Sequence, residues 1–122
     1  MSHAQTKKLT PEEIVQAQTD AYNKHDLERF MSFFSPEIKI YDFRTGAITE
    51  NNFEDCYKAF KEVFDLSPNL HSSTVKRITY SNIVIEHERI DGRKGSKEPL
   101  EIVFIAEVVD QKINKVTYLR QQ

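Results

Sequence analysis

Apolar residues recur at two spacings along this chain, and the change falls at about residue 70. Before it, three stretches carry the three- and four-residue spacing of a helix with one buried stripe. The first opens at Thr10-Pro11-Glu12-Glu13, where Thr10 caps, Pro11 suits the first helical position and Glu13 completes a capping box. Ile14, Ala17, Gln18, Ala21 and Tyr22 form its stripe, with Gln18 as the polar member. A second helix follows from Asp26, with an aromatic face of Leu27, Phe30, Met31, Phe33 and Phe34, and the spacing carries it to Ser35-Pro36. Asn51 or Asn52 caps a third, whose Phe53, Tyr57, Phe60 and Phe64 give the strongest helical stripe; Leu66-Ser67-Pro68-Asn69 breaks it.

Strands read differently, with alternate residues on opposite faces. Ile38-Lys39-Ile40-Tyr41-Asp42-Phe43 puts Ile38, Ile40 and Asp42 on one side, then turns at Arg44-Thr45-Gly46 into a short return strand, Ala47-Ile48-Thr49. From His71 the period of two is continuous: residues 71–80, 82–90, 100–109 and 113–120 are strands, with a polar loop over 91–97 and a turn at 110–112. Short connections make neighbours antiparallel. The expected fold is α+β, three helices from the N-terminal half packed on one face of a strongly bent antiparallel sheet. The strand 100–109 is apolar on both faces, so Val103, Ile105 and Val109 on the side away from the helices call for a second copy of the chain. A homodimer is therefore expected. Residues 1–9 read as a disordered tail and 10–122 as a single domain.

Composition narrows the partners. The chain has 122 residues, enough for one domain with a core, and a formal charge of −2 with both signs interspersed. That pattern lacks the clustered basic face of a nucleic-acid binder. One cysteine, Cys56, and four isolated histidines provide no metal spacing, and only three glycines leave no phosphate-binding loop. The N-terminal residues lack the apolar core of a signal peptide and no apolar run approaches membrane-spanning length. A cytoplasmic protein, without cofactor, metal, nucleic acid or membrane partner, is the expectation.

Ala21-Tyr22-Asn23-Lys24-His25-Asp26-Leu27-Glu28-Arg29-Phe30-Met31-Ser32-Phe33-Phe34 resembles the helix-turn-helix opening of the nuclear transport factor 2-like superfamily. Its members include ketosteroid isomerase and the SnoaL-like polyketide cyclases. The strand ending in Asp42 and the hairpin at Val108-Val109-Asp110-Gln111-Lys112-Ile113 agree with it, and Asn82–Ile90 looks like the SnoaL-like branch. The resemblance covers roughly residues 11–120 and implies a sheet wrapped into a cone with an apolar pocket at its open end, often in a dimer. It also implies that the isomerase's general base falls on Asp42, its oxyanion-hole tyrosine on Gln18 and its oxyanion aspartic acid near Phe104. The base is kept and the acid half is not, so steroid isomerisation is not the expected reaction.

Asp42 is thus the candidate base, an apolar cavity raising its pKa; the alternative is a strand-end residue that pairs with Arg44 or caps the turn. His87 alternates with Ile83, Ile85 and Arg89, and shuttles a proton only if that face lines the cone. His71 opens a strand near the pocket mouth. Gln18, Tyr22, Phe34, Phe60, Phe64, His71 and Phe104 are the candidate ligand contacts, the aromatic ones being core residues first. Cys56, between Phe53 and Tyr57 without a local base, reads as inert packing. Two function classes stay open: a cofactor-free isomerase, cyclase or dehydratase working by proton transfer on a small, largely apolar molecule, and a non-catalytic ligand-binding or dimerisation module.

Overall fold

A computed structural model describes residues 8–120. Its elements are α1 (Pro11–Asn23), α2 (Leu27–Ser32), β1 (Phe34–Asp42), β2 (Ile48–Glu50), α3 (Phe53–Asp65), β3 (His71–Tyr80), β4 (Ile83–Asp91), a 3-10 turn (Arg93–Gly95), β5 (Leu100–Val109) and β6 (Lys112–Arg120). Six strands form one curved, unclosed sheet in the order β2-β1-β6-β5-β4-β3, with the three helices packed against it. The α+β expectation holds, with one difference. β1 runs parallel to β6, while every other neighbouring pair is antiparallel.

Local chemistry sets the helix ends. Thr10 and Glu13 form the reciprocal capping box, and Asn52 Oδ1 accepts from Asp55 N at 2.8 Å to start α3. Asp26 caps α2 through Arg29 N. The second helix is shorter than its aromatic spacing suggests: it ends at Ser32, and Phe34-Ser35-Pro36 belongs to β1. The sheet captures the chain there, Ile113 N donating to Phe33 O at 2.7 Å. Pro36 has no N–H for a ladder, and the β1–β6 register shifts between Phe34 and Lys39 around it.

Ile38 and Ile40 are buried as expected, in a core that also holds Val108, Ile113, Val116, Ile14, Val15, Met31 and Val84. Cys56 is fully buried, and burial pushes its thiol up to about 12, which makes it an inert core residue. At the N-terminal edge, Leu9 packs on the core and exchanges two 2.8 Å hydrogen bonds with the Gln111 side chain. Residues 1–7 of the expected disordered tail lie outside the described residues. No helix among the described residues is long and apolar enough to cross a membrane.

Candidate functional site

The concave face of the sheet and the helices enclose a cavity of about 180 Å³. Its floor is built by register. Glu88 on β4 lies opposite Ile102 on β5, and in the next row Glu86, Phe104 and Tyr118 follow one another across β4, β5 and β6. α1 contributes Gln18 and Tyr22, α2 Phe30, and α3 Phe60 and Val63. Rings pack closely along this wall: Phe30 and Phe60 are 4.6 Å apart, Tyr22 and Phe64 5.4 Å, and Phe104 and Tyr118 5.9 Å.

One carboxyl group is set into this largely apolar wall. Glu88 is 8 % exposed, and its Oε2 accepts from Ser72 Oγ at 2.9 Å. Burial pushes its pKa up to about 7; the Ser72 hydrogen bond opposes this, and the neighbouring Glu86 adds to it. Glu86 is fully buried beside it and is paired with Arg77 Nε at 2.5 Å, with Thr74 Oγ1 donating to its other oxygen at 3.2 Å. Arg77 continues outward to Gln16 Oε1 on α1 at 3.0 Å. Tyr22 and Tyr118 line the same cavity; burial first, then the charge of Glu88, raises both phenols above their ordinary range. Neither hydroxyl has a hydrogen-bond partner among the described residues. Gln18 Nε2 donates to Phe30 O at 3.2 Å, which ties the α1 side of the wall to α2.

The rim is charged. Arg93 and Lys94 come from the turn after β4, Arg120 from the end of β6, Glu50 from β2 and Glu62 from α3. This turn is clamped to the end of α3: Lys94 N donates to Ser67 Oγ at 2.7 Å, and Lys94 Nζ meets Glu62 at 3.0 Å. Gly92 permits the approach. It sits at φ +75°, and a Cβ there would come within 2.4 Å of the Asn69 carbonyl oxygen.

Of the residues expected from the sequence, Gln18, Tyr22, Phe34, Phe60 and Phe104 stand on the cavity wall. Phe64 stands behind it, edge-on to Tyr22. His71 is exposed at the start of β3 and is not on the wall. Asp42 is not among the residues lining the cavity. It occupies the row of Phe104 and Tyr118, but β1 ends there and its carboxylate turns into the following loop. Oδ2 accepts from Thr45 N at 2.9 Å and Thr45 Oγ1 at 2.8 Å, and these bonds hold its pKa below the usual value. His87 also lies elsewhere: it is on the outer face of β4, 2.7 Å from Glu101. The inner face is Val84, Glu86, Glu88 and Ile90, the opposite parity.

Glu88, Tyr118 and the rim arginines are the residues that sequence reasoning missed. A signal existed for Glu88 in its antiparallel pairing with β5, whose apolar inner face is plain. The eight residues separating the two strands left the register free, and a slip of one residue reverses every side chain.

The family model for the SnoaL-like domain matches residues 15–116. No curated protein matches the chain. An uncharacterised cystatin-fold protein from Novosphingobium aromaticivorans superposes with a TM-score of 0.81 at 20% identity, over 92% of this chain and 99% of that one. A hypothetical protein with a ketosteroid isomerase-like fold from Catenulispora acidiphila, in complex with trimethylamine, gives 0.71 at 18% identity over 90% and 85%. TerC co-crystallised with polyporic acid gives 0.74 at 13% identity over 91% of each chain. At these identities the superpositions speak for the shared α+β fold, and the family model, spanning most of the sequence, decides membership: the chain belongs to the SnoaL-like domain family.

Proposed function

We propose that the cavity binds a small, largely apolar organic molecule and that Glu88 exchanges a proton with it. The observation that carries this reading is the Glu88 carboxyl group buried in the cavity wall, beside two tyrosine hydroxyls without hydrogen-bond partners among the described residues. A carboxylic acid with a pKa near 7 is poised to give a proton and to take one back at neutral pH. Tyr22 and Tyr118, held neutral, are donors for a carbonyl or hydroxyl oxygen on the ligand. Cofactor-free isomerisation, cyclisation or dehydration fits this set, with Glu88 in place of Asp42. Two structural neighbours captured with trimethylamine and with polyporic acid support small-molecule binding in this fold.

A thermal-shift screen of small aromatic and alicyclic compounds supplies ligands for the test. Each is then titrated calorimetrically at pH 7 in buffers of different ionisation enthalpy, which reads the protons exchanged on binding. Wild type should exchange protons, and Glu88→Gln should bind the same ligand without doing so. An unchanged proton count in the variant, or a screen without any stabilising compound, ends the reading. We also propose a homodimer through the sheet face opposite the helices, formed by β3, β4, β5 and β6.

A further inference from the structure

The charges on the cavity lining select a class of ligand. Glu88 and Tyr22 are buried there, and burial keeps the Tyr22 and Tyr118 hydroxyls neutral. Five further charged residues, Glu50, Glu62, Arg93, Lys94 and Arg120, line the cavity, and Arg120 shares a sheet row with Glu88, each opposite Ile102. Lys94 and Glu62 neutralise each other at 3.0 Å. Arg93 and Arg120 remain, and neither has an ion-pair partner among the described residues. Glu50 is the remaining acid at this rim. Both arginines reach inward. The guanidinium of Arg120 lies 5.1 Å from the centre of the Tyr118 ring, and the charge of Arg93 is felt at the Tyr22 hydroxyl. The clamp at Gly92 and Ser67 fixes the turn that carries Arg93, so this charge is held at the rim.

We infer that the ligand is an amphipathic organic anion, an aromatic or alicyclic carboxylate, whose anionic group meets Arg93 and Arg120 at the rim while its ring enters among Phe30, Phe60 and Phe104. Arginine suits this role because its planar donor fork matches a carboxylate. An amine entering first would meet two cations at the rim. This inference rests on the ligand-binding reading and adds the charge of the ligand.

The test uses 6-hydroxy-2-naphthoate, its uncharged carboxamide and the matching 6-hydroxy-2-naphthylmethylamine, each titrated into the full chain at pH 7.5. The acid should bind about tenfold or more tighter than the amide, since a charge-assisted hydrogen bond contributes that much. Arg93→Gln and Arg120→Gln should each weaken the acid about tenfold and leave the amide unchanged. Circular dichroism confirms that both variants fold. If the amide or the amine binds as tightly as the acid, the anion inference is overturned and the pocket reading stands. If the arginine variants weaken acid and amide alike, the inference also falls. If none of the three compounds binds, it falls, while the proton-exchange test on the screened ligands decides the pocket reading separately.

Discussion

Two carboxylates of this chain have opposite environments, and pH separates them. For Glu88 the folded pKa, about 7, lies above the ordinary 4.5, because burial disfavours its charge. Its contribution to stability is therefore complete below about pH 4.5 and is lost as pH rises to about 7. That span corresponds to roughly 3 kcal/mol. Glu88→Gln imitates the protonated form and still accepts from Ser72, so it should be more stable than wild type at pH 8 by about that amount. The gain should vanish near pH 4.5, and urea unfolding at both values reads it. For Asp42 the hydrogen bonds from Thr45 lower the pKa, so its stabilisation is present above the unfolded value and is lost as pH falls through the folded one. Asp42→Asn should lose stability at pH 7, and the loss should shrink towards pH 3. A mutant as stable as wild type at neutral pH would show that the turn does not need the charge.

At the scale of the element, β4 explains both what the sequence revealed and what it hid. Helices were legible because stripes such as Phe53, Tyr57, Phe60 and Phe64 follow a single period and end at recognisable caps. In β5 the inner face was legible because Leu100, Ile102, Phe104, Ala106 and Val108 are all apolar. In β4 the two faces carry equal numbers of apolar residues, Val84 and Ile90 against Ile83 and Ile85, so hydrophobicity does not choose between them. What chooses is pairing: Arg77, opposite Glu86 on β3, gives the inward carboxylate a partner. A partner on the neighbouring strand is invisible to a pattern read within one strand. The same blindness placed Phe34 on a helix, because only β6 draws it into the sheet. Arg77→Met should accordingly cost about 3–5 kcal/mol at pH 7, since it leaves Glu86 buried without its cation. A loss below about 1 kcal/mol at pH 7 would assign the pair to the weak class of surface bridges.

At the scale of the whole molecule the sheet's two faces differ. The concave face, covered by helices, holds the core and the cavity. The convex face has no helix over it, yet it is not a polar surface. Ile85 and Ile105 are opposite one another across β4 and β5, with His87 and Val103 opposite one another two residues along. Ile78, Tyr80 and Val109 are 52%, 79% and 49% exposed. Four strands of this length cover about 30 Å by 15–20 Å, an area at the lower end of a standard interface. Polar pairs such as His87–Glu101 and Lys115–Glu107 border the apolar centre, which resembles a polar rim around a dry core. A second copy placed on this face by a two-fold axis would bury Ile105 against its own counterpart or close to it, because such an interface is self-complementary. Ile105→Lys should then place two cations in the buried centre and raise the dimer dissociation constant about a hundredfold or more. Light scattering across a dilution series checks it. Wild type should pass from twice the monomer mass to the monomer mass in the micromolar range, and the variant should remain monomeric throughout. Glu88→Gln, on the opposite face, serves as the control and should dissociate as wild type does. Wild type that stays monomeric at high micromolar concentration would leave the convex face without its proposed partner.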